Sequence, residues 1–491
     1  MDGGRREGAV DMRGSEDEYS GADVLRRSDG VLARGGSTAR EALKADPALH
    51  AVPASPARTG NRRRRVLVSA YAFSPVMGSE PGVGWNICSR LAATHDVTVL
   101  TRSWNEELWP EDEEHRQEAE QFLRNIGPIP GLTIKFIESP LLSRLFQRQP
   151  LVSLHSPLFF HGYAAWQRAA YLEAVRLHHE RPFDIAHQLT VGSFREPGYL
   201  WKLNVPFFWG PLGGGGNIPW SYFGAFGAHD RLYYGIKNIS NRLHVFTKRR
   251  SHLAARNAEC IFVNGTEVNK IVARWGGSTQ FLLDTGTTQW AGRRRQYDGT
   301  RCLRLCWGAV HIGRKALPIL LHALAYLRRH MSKESVHLTI MGDGPETDMW
   351  RQLSRQLQID EMVTWLGHVP YQQLLETMDK EDVFVSTGVQ EGTPMIVMQA
   401  LAVGLPVVCH DIGGMSAAVD ESCGMKIPLR GAESSVLGFA EAIARLAEGK
   451  GLVNRLSEGA LCRAQALSWE ENVRKIVAAY DATLDQRISL T

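Results

Sequence analysis

The sequence predicts two α/β domains, each a doubly wound, Rossmann-like parallel sheet, that face one another across a cleft. Short apolar runs alternate with helical segments twice along the chain, and a polar stretch rich in Gly and Arg near 286–300 separates the two series. Such alternation is typical of parallel sheets covered by helices on both faces. A length of 491 residues is enough for two or three domains of this kind.

The first 63 residues differ from the rest, because they are rich in Gly, Ser, Ala, Arg and Asp and poor in large apolar side chains. A segment of this composition buries too little surface to offset the entropy lost on ordering, so we expect a disordered tail. The tail ends in a basic run at 62–65. Two interpretations stay open for it, a solvated flank and a weak attraction to anionic lipid headgroups.

The N-terminal domain is predicted over 64–285. A strand at 66–71 precedes a Gly-rich loop at 74–86 and a helix that ends near residue 93. Segments 141–180 show helical spacing of apolar residues, which indicates either helices packed on the domain or contact with a membrane surface. Further strands are predicted at 96–101, 134–137, 183–187 and 206–210.

The C-terminal domain is predicted over 286–470, with strands at 303–307, 336–341, 363–366, 383–386 and 406–409. Helices are predicted at 316–330 and 347–357. The last segment, 471–491, is predicted to be a helix, and whether it crosses back to the N-terminal domain is left open. Two such domains imply a ligand-binding cleft between them.

Composition excludes several classes of protein. The net charge of +4 gives no reason to expect nucleic acid as a partner, and no stretch is apolar enough for long enough to cross a bilayer. Seven scattered cysteines, without a secretory signal, indicate a reduced cytoplasmic protein. Neither a metal-ligand cluster nor a nucleophile with its base is readable, which favours group transfer from an activated donor over hydrolysis.

The segment 389–408, which contains Glu391, is the most informative. Its pattern predicts strand, tight loop, helix, turn and strand, so that Glu391 lies at the carboxyl edge of a sheet, where ligands bind. Backbone amides of 392–395 would then point from a helix N-terminus towards an anion or a sugar hydroxyl. The alternative is a simple helix cap, in which Glu391 only complements the helix dipole.

Further candidates also follow predicted strands. Arg314 and Lys315 form a strand-to-helix turn, where two cations can hold a diphosphate, although exposed surface cations are the commoner case. The glycines at 78–84 and 210–216 form two Gly-rich loops, which either approach a ligand closely or are flexible connections. His187 is predicted at a strand end, facing the cleft or playing a structural role.

The order of these elements resembles that of the retaining glycosyltransferases of family 4, which have the two-domain GT-B fold. The likeness covers about 66–485 and includes a Gly-x-Gly-Pro turn at 342–345 and a Glu-Gly-Thr-Pro segment at 391–394. It implies a nucleotide-sugar donor held mainly by the C-terminal domain and an acceptor held by the N-terminal one. It also implies transfer with retention at the anomeric carbon, without a metal or other cofactor.

The resemblance implies roles for individual residues. Glu391 contacts hydroxyls of the donor sugar, Lys315 binds the donor diphosphate, and His187 lies near the donor sugar, which makes these three the catalytic candidates. The remaining residues of the implied donor site are Gly78, Arg314, Gly392, Thr393, Pro394, Met395, Gln399, His368 and Val369.

The sequence departs from the family pattern at three places. Gln399 stands where the family has a second Glu, which accepts hydrogen bonds from both ribose hydroxyls, and an amide offers one acceptor instead of two. Val310 falls where the family usually has an Arg. Segment 284–288 replaces the usual Pro-Asn-Gly of the domain junction.

The sequence therefore predicts a retaining glycosyltransferase that moves a sugar to a glycan or lipid-linked acceptor in polysaccharide or lipopolysaccharide synthesis. It is predicted to be cytoplasmic, and peripheral contact with the inner face of the membrane stays open. Two alternatives remain. One is a catalytically impaired relative or scaffold that binds nucleotide sugar, and the other is a nucleotide-sugar epimerase of the same fold.

Overall fold

A computed structural model describes residues 63–104, 112–147, 157–288, 292–331, 335–448 and 451–489. It contains two parallel sheets of seven and six strands, which confirms the predicted fold class. The predicted disordered tail, 1–63, lies almost wholly outside the described residues. The boundaries predicted for the domains stay predictions.

The first sheet has the strand order β3-β2-β1-β4-β5-β6-β7, and every neighbouring pair is parallel. Its order reverses between β1 and β4, which places a crevice at the carboxyl ends of those two strands. The strands are β1 (Arg65–Ala70), β2 (Asp96–Arg102), β3 (Leu132–Ile137), β4 (Ile185–Thr190), β5 (Phe207–Leu212), β6 (Cys260–Val263) and β7 (Thr279–Phe281).

Helices cover both faces of this sheet. They are α1 (Ser79–Leu91), α2 (Asp112–Ile126), α3 (Leu141–Gln147), α4 (Pro157–Glu180), α5 (Ala228–Thr247), α6 (Arg249–Asn257) and α7 (Thr266–Arg274). The apolar face of α4 that the sequence left open between core and membrane is buried in the core, since Tyr163 and Trp166 are fully inaccessible. That face is therefore unavailable to a membrane.

The second sheet has the order β10-β9-β8-β11-β12-β13, again all parallel, with its reversal between β8 and β11. Its strands are buried almost throughout, as expected for a sheet covered on both faces. They are β8 (Leu303–Gly308), β9 (Val336–Met341), β10 (Val363–Gly367), β11 (Val383–Ser386), β12 (Val407–His410) and β13 (Gly424–Ile427).

The helices of the second half are α8 (Leu317–His330), α9 (Thr347–Gln356), α10 (Tyr371–Lys380), α11 (Met395–Ala402), α12 (Gly413–Ala418), α13 (Ala432–Glu448), α14 (Leu452–Ala466) and α15 (Trp469–Ser489). Helix α15 packs on the N-terminal sheet. Its Tyr480 hydroxyl is 2.5 Å from His187 Nδ1, and its Glu470 and Arg487 pair with Arg90 and Glu259 of the N-terminal half.

Sequence patterns missed β6, β7 and β13. Each has only three or four residues, too few for periodicity alone to separate a strand from a buried helix. Strands β11 and β12 are equally short, but they flank the loop, helix and turn that follow Glu391, and this context made them recognisable. The strand predicted at 183–187 begins two residues later and runs to Thr190. Helix α1 begins at Ser79, so most of the predicted Gly-rich loop is helical.

None of the described helices is long and apolar enough to cross a membrane. All seven cysteines are free thiols.

Candidate functional site

The charged residues best placed to bind a ligand lie where the second sheet reverses its strand order. Lys315 follows β8 in a single 3₁₀ turn, and Glu391 follows β11, the neighbouring strand. Carboxyl ends of parallel strands meet at one edge, so these two loops converge although 76 positions separate their side chains in sequence. The sequence placed both residues at this edge.

Glu391 forms an ion pair with each of the two cations of the preceding loop. Lys315 Nζ lies 2.6 Å from its Oε1, and Arg314 Nη1 lies 3.2 Å from its Oε2. Burial raises the pKa of Glu391, but Lys315 and Arg314 outweigh burial and hold the pKa below its usual range. The carboxylate therefore stays ionised. It can accept about four hydrogen bonds and so has capacity left beyond these two.

The loop between β11 and α11 is held from behind by the start of α12. Gly414 N–H donates to the carbonyl of Gly392 over 3.0 Å. Gly413 has a φ of +49°, and a Cβ there would collide with the carbonyl oxygen of Glu391. Glycine at 413 thus allows the close approach that fixes the backbone of Glu391. Pro394 caps α11, which begins at Met395, so Gly392 and Thr393 precede its open end as predicted.

Gln390, beside Glu391, connects this loop to the N-terminal half. Its amide nitrogen donates to the carbonyl of Gly216 over 2.6 Å, and its Oε1 accepts from Lys237 Nζ of α5 over 2.9 Å. Burial, together with the neighbouring Arg314, lowers the pKa of Lys237 to about 7. Gly216 belongs to the second Gly-rich loop that the sequence singled out. The sequence did not single out Lys237, which lies in no recognisable motif, or Gln390, which precedes Glu391 directly but whose partners are distant in sequence.

The first sheet also has polar side chains at the point where its own strand order reverses. Glu80, at the start of α1 beyond β1, accepts a hydrogen bond from Gly192 N–H, just beyond β4, over 3.0 Å. Burial raises the pKa of Glu80 to about 7, although the Gly192 amide opposes the shift. Asp284 also has a raised pKa because of burial, and it accepts from Asn264 over 2.7 Å. The sequence did not identify Glu80 or Asn264.

Gly78 lies at the N-cap of α1 with an extended backbone, near the position predicted for it. The other two glycines of that loop serve packing. A Cβ at Gly82 would lie 2.7 Å from the carbonyl of Met77, and one at Gly84 would lie 2.5 Å from that of Ala72. The prediction that they form a loop was wrong, because they sit inside α1 and let the helix pack against the segment before it.

His187 is placed differently from its prediction. It lies in the middle of β4 and is completely buried. One ring nitrogen is 2.5 Å from Tyr480 Oη and the other is 2.7 Å from the carbonyl oxygen of Gly210, so neither nitrogen is left for a ligand. Burial lowers the pKa of His187 to about 4. The expectation of a strand-end His facing the cleft was wrong, because β4 continues for three residues beyond it.

The remaining predicted donor contacts are spread over the second domain. Gln399 is half-buried on α11, and its side chain makes no hydrogen bond to the described residues. His368 is exposed beyond β10, whereas the Val369 side chain is buried in the core and can offer a ligand only its backbone. Val310 is half-buried in the loop that leads to Arg314.

The C-terminal region matches a known protein family. Residues 302–449 match the model described as "Glycosyl transferases group 1", a span that includes Lys315, Glu391 and Gln399. A D-inositol 3-phosphate glycosyltransferase of Nocardia farcinica is 27% identical over 176 residues, which is 35% of this chain and 38% of that protein. A protein of Bacillus subtilis named for teichuronic acid biosynthesis is 32% identical over 141 residues, 28% of this chain and 32% of that protein. The matches thus span about a third of these relatives.

Solved structures share the architecture over much more of the chain. Sucrose-phosphate synthase of Thermosynechococcus elongatus superposes with a TM-score of 0.57 at 17% identity, covering 87% of this chain and all of that one. The lipopolysaccharide outer core galactosyltransferase WaaB gives 0.57 at 12% identity over 85% of this chain and 99% of its own. The HepE protein of Anabaena in complex with UDP gives 0.51 at 14% identity over 85% of this chain and 100% of its own. Likeness at these identities establishes the fold.

The family match covers the loops that carry Lys315 and Glu391, and the structural likeness covers both sheets. Residues 302–449 are thus similar to the group 1 glycosyltransferases, and the two parallel sheets have the architecture of the GT-B fold.

Proposed function

We propose that this protein transfers a sugar from a nucleotide-sugar donor to a glycan or lipid-linked acceptor, with retention of anomeric configuration. The observation that carries the proposal is the cluster of Glu391, Lys315 and Arg314 at the reversal point of the second sheet. A donor of this kind presents a diphosphate beside a sugar. The cluster offers two cations beside a carboxylate that stays ionised, which matches that pairing of charge and hydroxyl groups.

Lys315 and Arg314 have a chemical role in this scheme. When the bond between sugar and diphosphate breaks, negative charge grows on the departing phosphate, and cations already in position stabilise it. Neither needs a large rearrangement, because both are held by Glu391 within 3.2 Å before the donor arrives. Two fixed cations supply the charge that a metal ion supplies in other phosphate sites, so the proposed reaction requires none.

Glu391 is proposed to accept hydrogen bonds from the donor sugar, supported by the backbone amides of Gly392 to Met395 at the start of α11. The acceptor would enter from the N-terminal side, where the Gly-rich loop ending at Gly216 reaches Gln390. The named relatives act on inositol phosphate or in teichuronic acid synthesis. This supports a polyhydroxylated acceptor.

A thermal-shift screen against a panel of nucleotide sugars tests the proposal, since a ligand that binds the folded state raises the melting temperature by mass action. At least one donor should raise it, and the same donor should be turned over when envelope glycans are supplied. Proton NMR of the product would then show the anomeric configuration of the donor retained. A panel without either binding or turnover would contradict the proposal, and an inverted product would contradict retention alone.

A second candidate, a nucleotide-sugar-binding protein with impaired catalysis, is favoured by Gln399. Its amide has no hydrogen-bond partner within the described part of the chain and stands where the family has a carboxylate for the ribose. Gln399→Glu separates the two. A rise in turnover of tenfold or more, on the order of 1.4 kcal/mol, would mark the natural protein as impaired. An unchanged rate would show that Gln399 suits this donor.

A further inference from the structure

Helix α5 has an uninterrupted row of exposed large apolar side chains. Leu232, Ile236, Ile239, Leu243 and Phe246 are each 55–67% accessible. Their spacing of three and four residues places all five within about 80° of the helix circumference. Isolated exposed apolar residues are ordinary, but five in one stripe along a whole helix form a surface that needs a partner.

The opposite face of the same helix is engaged by the rest of the protein. Lys237 reaches Gln390 beside the proposed donor site, and Asn241 accepts a hydrogen bond from Arg195. Asn238 holds both the amide and the carbonyl of Ile218. The helix is therefore fixed by an inner face that carries these polar side chains together with the buried ring of Tyr234, and its apolar stripe points outwards. This reverses the usual order, in which the apolar face of a surface helix packs inwards.

Charge around the stripe is strongly one-sided. Residues 228–257, which span α5 and α6, contain seven Lys and Arg and a single acidic residue, Asp230. Asp230 lies on the inner face, where its carboxylate approaches Gly313 of the cation loop. Arg231, Arg242 and Arg249 are exposed beside the stripe. Arg274 of α7 lies over the ring of Phe246, with 5.5 Å from its guanidinium carbon to the ring centroid.

We propose that α5 lies flat on an anionic lipid surface, with its apolar stripe inserted among the headgroups and the flanking arginines paired with lipid phosphates. An apolar stripe rimmed by cations has the chemistry of an interfacial helix, and its polar inner face rules out a spanning orientation. A second copy of this chain fits less well, because a symmetric contact through α5 would bring the same cations together. The inner face touches the donor loop, so such docking holds the cleft at the bilayer.

The surface stands independently of the transfer reaction, because its test needs binding alone. Purified full-length protein is mixed with vesicles of phosphatidylcholine containing about a third phosphatidylglycerol, and with vesicles of phosphatidylcholine only, and is then sedimented. We expect binding to the anionic vesicles that weakens as salt is added. Hydrogen–deuterium exchange on the unmodified protein should show protection of α5 peptides only when anionic vesicles are present.

Variants test whether the apolar stripe of α5 is the surface that binds the vesicles. Ile236→Ser with Leu243→Ser should weaken binding by at least about tenfold, since two large apolar groups no longer enter the interface. The matched control is Leu172→Ser with Leu437→Ser, two comparably exposed leucines on α4 and α13, and it should bind as the unmodified protein does. Arg242→Gln with Arg249→Gln should reduce the salt dependence, whereas Arg329→Gln with Arg445→Gln, exposed on α8 and α13, should not.

Three results would overturn the proposal. The first is no sedimentation with anionic vesicles. The second is unchanged binding or unchanged α5 protection in the stripe variant, checked for folding by its melting temperature. The third is a dimer in solution, measured by light scattering, that the stripe variant converts to a monomer with vesicle binding intact, which would assign the stripe to self-association.

Discussion

Two buried carboxylates flank the same strand of the second sheet. One belongs to a structural ion pair, and the other belongs to the candidate site. Asp382 precedes β11 and makes a two-pronged contact with Arg301, at 2.6 and 2.7 Å. Glu391 follows β11 and pairs with Lys315 and Arg314. Both carboxylates are nearly inaccessible, with side-chain exposures of 2% for Asp382 and 6% for Glu391. Only the second lies at the carboxyl edge beside the reversal of strand order, so position within the sheet distinguishes ligand-binding groups from stabilising ones.

The largest effect should come from neutralising the second carboxylate. Glu391→Gln is expected to lower kcat/KM by about a hundredfold or more, near 3 kcal/mol, because the amide loses charge and acceptor capacity at the donor sugar. Steady-state kinetics with the donor found by thermal shift measures it. Lys315→Ala should lower kcat/KM by a comparable factor, because it removes a cation proposed to bind the diphosphate. Normal rates in both variants would contradict the assignment of the donor site to this edge of the second sheet.

Asp382→Asn is the matched control and should have the opposite effect, lowering stability while activity is retained. Losing the charge opposite Arg301 is expected to cost about 2 kcal/mol of unfolding free energy, since the buried Asp382 carboxylate accepts charge-assisted hydrogen bonds from Arg301 and another from the backbone amide of Arg304. Urea unfolding measures this loss. At 25 °C the folded variant should retain kcat/KM within about twofold. A hundredfold loss of activity here would erase the distinction between the two ends of β11.

His187 shows why sequence reasoning reaches only part of the site. Strand-forming residues at 183–187 placed it at a strand end, but pairing with β1 and β5 extends β4 to Thr190 and moves its ring into the interior. Strand ends depend on neighbours that a single segment does not display. The Glu391 loop was predictable because its Gly, Pro and apolar helix mark its boundaries locally.

The same limit explains the residues that were missed. Lys237 reaches Gln390 from α5, 153 positions away, and Glu80 meets Gly192 across 112 positions. Neither pairing leaves a local pattern, because each contact is created by tertiary packing, the first between the two halves of the molecule and the second within the N-terminal half. Both sheets and most of their strands were predictable, since each strand is a short apolar run between helical segments.

Acidification extends the comparison to His187. The unfolded chain takes up its proton with a pKa near 6.5, and the folded state only near 4. Stability is therefore full above pH 6.5 and is lost as the pH falls, by about 2 kcal/mol between pH 7.5 and 5 for this residue. Urea unfolding at both pH values should show that loss reduced by the same amount in His187→Asn. An equal loss in both proteins would show that His187 titrates normally and is open to solvent.

The smallest effect should come from Tyr480, the hydrogen-bond partner of the His187 ring. Tyr480→Phe removes one hydroxyl from a fully buried contact between α15 and β4, so it should cost about 1 kcal/mol of unfolding free energy. The rate should not change, because the hydroxyl stabilises how the last helix is packed and touches neither Glu391 nor the cations. Urea unfolding and steady-state kinetics of the same preparation separate the two. If the rate fell tenfold at unchanged stability, the pair of His187 and Tyr480 would belong with Glu391 as part of the reaction site, and strand position would no longer decide between them.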